Sequence, residues 1–181
     1  KSIDTKSNAR TGEITINNNI IKTPVFMPVG TLGNVKGIMQ NLLEEDSKAE
    51  IILNKFIEEV KKNYNILSSK SGLCGFSQGC MMAINIALTN REKFNCVVGF
   101  SGKIIDKDDL ERRKKNGPET LLIHGDADEV VPVSNILEAK DFLIRNNVSV
   151  NTKIIKNCGH HIPIEASSLA LHFIKKKSCK C

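Results

Sequence analysis

The chain has 181 residues, 40% hydrophobic and 25% charged, with a net charge of +6. That balance fits a folded, water-soluble domain and excludes a disordered or fibrous one. The surplus charge is dispersed over Lys61 and Lys62, Arg112 to Lys115 and Lys175 to Lys177; with no Trp and 4% aromatics there is little to stack on bases, so nucleic acid is not an expected partner.

Residues 12 to 29 read as β structure. Glu13 to Ile16 and Ile20 to Thr23 flank Asn17, Asn18 and Asn19, whose side chains tolerate a left-handed backbone in a hairpin turn. Pro24 to Pro28 and the glycines at 30, 33 and 37 punctuate the next stretch, which is expected to be extended or looped. The character changes between residues 38 and 45, which places the division into segments 1–41 and 42–181. From Glu44 onward strand and helix patterns alternate. Ile51, Ile52, Phe56 and Val60 recur along one face of an amphipathic helix. A strand from Gly72 to Gly75 leads through Ser77 into an apolar helix, Met81 to Leu88. Further strands are expected over Cys96 to Phe100, Thr120 to His124 and Val150 to Ile155, with helices near 134–145 and 164–175. Arg112 to Lys115 read as loop. Such alternation argues for an α/β fold, a mainly parallel sheet with helices on both faces.

No apolar run approaches the roughly 20 residues that span a bilayer, and the polar start KSIDTKSNAR lacks the apolar core of a secretory signal. No transmembrane segment is expected, and the cytoplasm is the expected compartment. Among the six cysteines, Cys74 and Cys96 lie in apolar strand-like runs and read as buried thiols. Cys179 and Cys181 form a C-x-C tail with no second Cys/His pair at ligand spacing, so no metal site is expected.

The sharpest motif is Gly75-Phe76-Ser77-Gln78-Gly79. A serine hydroxyl becomes a useful nucleophile when it is held exposed beside a base, and a tight strand-to-helix turn holds it so. The two glycines would remove Cβ atoms where strand and helix approach, and the helix N-terminus would favour a developing oxyanion. The bland alternative is a serine that only caps the helix. Triad partners on such a fold follow in the order acid, then histidine, each after a later strand. His124-Gly125-Asp126-Ala127-Asp128 offers two acids, Asp126 beside the strand end and Asp128 further into the loop. Gly159-His160-His161 offers two bases; spacing alone leaves both choices open. His124 reads as a packing histidine and His172 as one side of the last helix.

Three segments, GFSQGCMMAINIAL (75–88), LLIHGDADEVVP (121–132) and GHHIPIEA (159–166), resemble the carboxylesterase/phospholipase family that includes the acyl-protein thioesterases, over about residues 45 to 176. The resemblance implies a truncated α/β-hydrolase fold lacking the family's N-terminal part. It implies Ser77 as nucleophile, Asp128 as acid and His160 as base, with the Gln78 N–H as oxyanion donor. It also implies a small acyl ester or thioester as substrate and no cofactor. The family's His-Gly-x-Gly type loop, which carries the second oxyanion donor, has no match in residues 1–70, so impaired activity is expected. A catalytically silent fusion remnant serving as a binding module is the alternative.

Residues 8–38, ARTGEITINNNIIKTPVFMPVGTLGNVKGI above all, resemble instead the start of the bacterial tRNA-guanine transglycosylases (queuine tRNA-ribosyltransferases). Only that family's opening strands are matched; its catalytic aspartates, substrate pocket and Cys/Cys/Cys/His zinc site have no counterpart. Two joined gene fragments are the expectation. The Gly72 strand then lacks its usual neighbour, and either the N-terminal hairpin or self-association through the exposed edge is expected to cover it.

Overall fold

The computed structural model describes residues 2–3, 10–16, 19–23 and 42–178. The chain divides into two compact units, Lys1–Leu42 and Leu43–Cys181. In the first, β1 (Ser2–Ile3), β2 (Arg10–Ile16) and β3 (Asn19–Thr23) form an antiparallel sheet in the order β1-β2-β3. Ile14 lies opposite Ile21 and Ile16 opposite Asn19. Asn19 therefore belongs to the strand rather than the turn. The expected loop from Pro24 to Gly37 and the tail at Cys179 and Cys181 lie outside the described residues.

The second unit is built on a four-stranded parallel sheet, β4 (Gly72–Phe76), β5 (Cys96–Phe100), β6 (Glu119–Gly125) and β7 (Val150–Ile155), in that spatial order. Side chains alternate across it. Leu73, Val97, Leu122 and Val150 point to a core shared with α1 (Leu42–Tyr64), α2 (Gln78–Thr89) and α4 (Ser134–Arg145). Val98, Leu121 and Ile123 point the other way, to Ala166, Ala170 and Phe173 of α5 (Ile164–Ser178). Helices thus cover both faces. The parallel order carries the carboxyl ends of all four strands to one side, where α/β sheets place their ligand sites.

Three expectations change. Helix α1 turns Leu53 and Ile57 toward the core, while Ile51, Ile52 and Phe56 are 55%, 65% and 48% exposed. Leu53, Ile57 and Val60 are as well spaced for one face as the expected set, and packing decides between them. Cys74 is exposed, because β4 is the edge of its sheet and Cys74 points away from the core that takes Leu73; Cys96, one strand further in, is buried. Arg112 and Arg113 lie not in a loop but in the last turn of a short helix, α3 (Lys107–Arg113). Its start is closed by the Asp106 carboxylate, which accepts from the Asp109 N–H at 2.9 Å, with acids in the first turn and cations in the last as the helix dipole favours. Arg113 also reaches Glu50 of α1 at 2.8 Å, tying α3 to α1.

Candidate active site

Ser77 sits between β4 and α2 at φ 54°, ψ −121°, a conformation that costs a non-glycine residue on the order of 1–3 kcal/mol. Its N–H donates to the Phe100 carbonyl at 2.8 Å, fastening the turn to the end of β5. The turn is tight on one side only. A Cβ on Gly75 would stand 2.1 Å from the Gly79 carbonyl oxygen, whereas a Cβ on Gly79 would meet nothing within 4 Å. The second glycine of the motif is therefore not required for the close approach expected of it. The Gln78 N–H opens α2, where no helical carbonyl takes up the first amides.

Of the two acids, the exposed Asp126 stays at the strand end while Asp128 turns inward and is buried. One Asp128 oxygen accepts from the Val130 and Val131 N–H groups at 3.0 and 2.9 Å. The other lies 2.8 Å from His160 Nδ1. Burial pushes the Asp128 carboxyl up, but hydrogen bonds from the Val131 N–H, His160, the Val130 N–H and the Ser101 hydroxyl outweigh it and hold the group below its ordinary value. An ionised carboxylate only accepts, so Nδ1 of His160 carries the proton and Nε2 faces Ser77 Oγ at 3.0 Å with its lone pair. The Phe76 ring lies 4.7 Å from the imidazole. His161 is exposed and turns to Cys158 Sγ, 3.8 Å away.

Ser77, His160 and Asp128 are thus brought together, and Asp126 and His161 are not. Three further residues gather here, none of them expected to take part in the site. Ser101 is buried at φ 47° at the end of β5, Phe76 flanks His160, and His124 sits in the core below Asp128. Their common signal is position, since each lies at or beside the carboxyl end of a parallel strand. Beneath Ser77, Cys80 fills the notch left by two glycines. A Cβ on Gly99 or Gly102 would stand 2.3 or 2.4 Å from Cys80 Sγ, and burial pushes the thiol up to about 12. One turn beyond Ser77, a cavity of about 250 Å³ is lined by Met81, Met82, Ile104 and Ile105 together with the ion-paired Glu50 and Arg113.

A parallel sheet in which one strand enters a helix through a strained serine, with aspartate and histidine on later loops, is the architecture of the α/β-hydrolases. The chain belongs to the phospholipase/carboxylesterase family, whose model matches residues 15–178. That match begins inside β2, well before residue 45. Esterase PE8 is similar in structure, with 30% identity and a TM-score of 0.73 over 78% of this chain and 67% of that one. Arabidopsis thaliana SOBER1 (20% identity, TM-score 0.64, 75% of this chain and 63% of that one) shares the fold. So does the Bacillus cereus carboxylesterase (18%, 0.65, 92% and 73%). Among curated proteins the chain is similar to the queuine tRNA-ribosyltransferase of Acidovorax sp. (strain JS42), 43% identical over 75 residues, 41% of this chain and 19% of that protein. The counterpart in Delftia acidovorans is 41% identical over 75 residues. The chain spans about a fifth of the length of these curated relatives. Among the described residues no helix is long and apolar enough to cross a membrane.

Proposed function

We propose that the chain is a serine hydrolase that cleaves carboxylic esters or thioesters through an acyl-enzyme. The observation that carries this reading is the unbroken hydrogen-bond chain from Ser77 Oγ to His160 to Asp128, at 3.0 and 2.8 Å. Ser77 attacks the acyl carbon while His160 Nε2 takes its proton, then returns it to the departing oxygen or sulfur. Water, activated by the same nitrogen, releases the acid. Asp128 holds the ring in the productive tautomer and stabilises the imidazolium. The Gln78 N–H donates to the oxyanion, aided by the α2 dipole. None of these steps uses a cofactor.

Turnover by this chain is expected to be slow, because residues 1–70 hold no match to the family's second oxyanion loop, and one missing donor costs on the order of 10²- to 10³-fold. Gly30 to Gly33, the glycine-containing run among them, lies outside the described residues. A fluorophosphonate probe tests the reading: it is expected to label the protein covalently and to leave Ser77→Ala unlabelled. Equal labelling of the two proteins would remove it. Asp128→Ala and His160→Ala are expected to suppress labelling far more than Asp126→Ala and His161→Ala.

A further inference from the structure

Val131 is gripped at both ends of its backbone. Its N–H donates to Asp128 Oδ1 at 2.9 Å, and its carbonyl lies 2.8 Å from Nε2 of His124. A carbonyl only accepts, so His124 carries a proton on Nε2. That same nitrogen stands 3.5 Å from Asp128 Oδ2, the oxygen that faces His160. His124 itself is buried near the end of β6, the strand that leads into the acid loop. The loop tip between Asp128 and Val131 is exposed, Val130 at 67% with Glu129 beside it.

We infer that His124 is a positioning residue for the acid of the triad, fastening the Asp128–Val131 turn to the rigid end of β6 so that Oδ2 meets His160 Nδ1. This rests on the reading of Ser77, His160 and Asp128 given above. The physical reason is geometric. Asp126, Ala127 and the Ser101 hydroxyl hold the Asp128 end of the turn. Closing on itself through Asp128 Oδ1 fixes the turn's shape but leaves its far end, at Val131, unplaced relative to the sheet, and His160 arrives from a different loop. A donor fixed in the sheet supplies that missing coordinate, and a buried donor works without competition from water.

Glutamine presents an amide nitrogen near the place of imidazole Nε2, whereas the shorter asparagine reaches only to that of Nδ1. In the full chain, His124→Asn is therefore expected to slow fluorophosphonate labelling of Ser77 about 10-fold, the worth of one such hydrogen bond, and His124→Gln to restore most of the rate. Ester hydrolysis is expected to lose kcat with little change in KM. The low-field proton resonance of His160 Nδ1–H is expected to shift or broaden in the Asn variant and to return in the Gln variant. Equal rates in parent, Asn and Gln proteins, or equal losses in both variants, would overturn the inference. Labelling of Ser77→Ala alongside the parent would instead overturn the triad reading, so the two failures are distinct.

Discussion

Gly125, the last residue of β6, lies so close against Cys158 that a Cβ at position 125 would stand 2.0 Å from the Cys158 carbonyl oxygen. The loops that carry Asp128 and His160 thus meet backbone to backbone. Two hydrogen bonds hold them there, Asp126 N–H to the Ile155 carbonyl and Ala127 N–H to the Cys158 carbonyl, both at 3.0 Å. Gly125→Ala sets a methyl against an atom that cannot swing aside. It is expected to cost about 3 kcal/mol or more and to abolish fluorophosphonate labelling. An unchanged urea midpoint would show that the two loops are not in this contact.

The two glycines of the serine turn are expected to behave differently. Gly75→Ala meets the Gly79 carbonyl at 2.1 Å and must open the turn, while Gly79→Ala enters open space. Gly79 also lies inside α2, where alanine is favoured over glycine by up to about 1 kcal/mol. Gly79→Ala should therefore match or exceed the parent melting temperature and keep its labelling, whereas Gly75→Ala should lose both. Equal damage from the two substitutions would contradict the geometry.

Cys80 and Gly99 form a lock that can be taken apart. Gly99→Ala alone drives a methyl to within 2.3 Å of Cys80 Sγ and is expected to destabilise by about 1–3 kcal/mol. Removing the sulfur in Cys80→Ala relieves the closest clash, leaving the end of the flexible Leu122 side chain at 3.0 Å and the Cys80 Cβ at 3.6 Å. The double variant is expected to be more stable than Gly99→Ala alone, a favourable coupling readable from a double-mutant cycle. Additive losses would show that Cys80 is not what Gly99 makes room for.

Asp128 should also shape stability in acid. Its carboxyl is held below its ordinary 3.8 by the hydrogen bonds that fold around it. A depressed carboxyl contributes stability that is present above its unfolded value and is lost as pH falls through the folded one. The contribution therefore disappears below about pH 4, on the acid side of the ordinary value. Asp128→Asn, which keeps an acceptor for the Val130 and Val131 N–H groups, should be less stable than the parent at neutral pH and show a shallower acid limb. Urea unfolding of both proteins between pH 5 and pH 2 measures this, and parallel acid limbs would refute it.

Much of the second unit was legible in its residues because its signals are local. Strand and helix periods alternate from Glu44 onward, the bounds of β5 and β7 are those the apolar runs predict, and GFSQG marks the turn between β4 and α2. That the loops after β4, β6 and β7 all reach one side follows from a parallel sheet that returns each strand end there. Spacing could not separate Asp126 from Asp128 or His160 from His161, because adjacent loop residues differ only in where the backbone turns them. The Gly125–Cys158 contact and the Val130 and Val131 amides decide that direction, and they are pairings between distant segments. The same holds for the face of α1: Leu53 with Ile57 and Ile51 with Ile52 and Phe56 satisfy helical spacing equally, and only the neighbour against which the helix lies chooses between them. Cys74 and Cys96 occupy similar apolar runs, yet one is exposed and the other buried because strand order, a tertiary property, makes β4 the edge of its sheet.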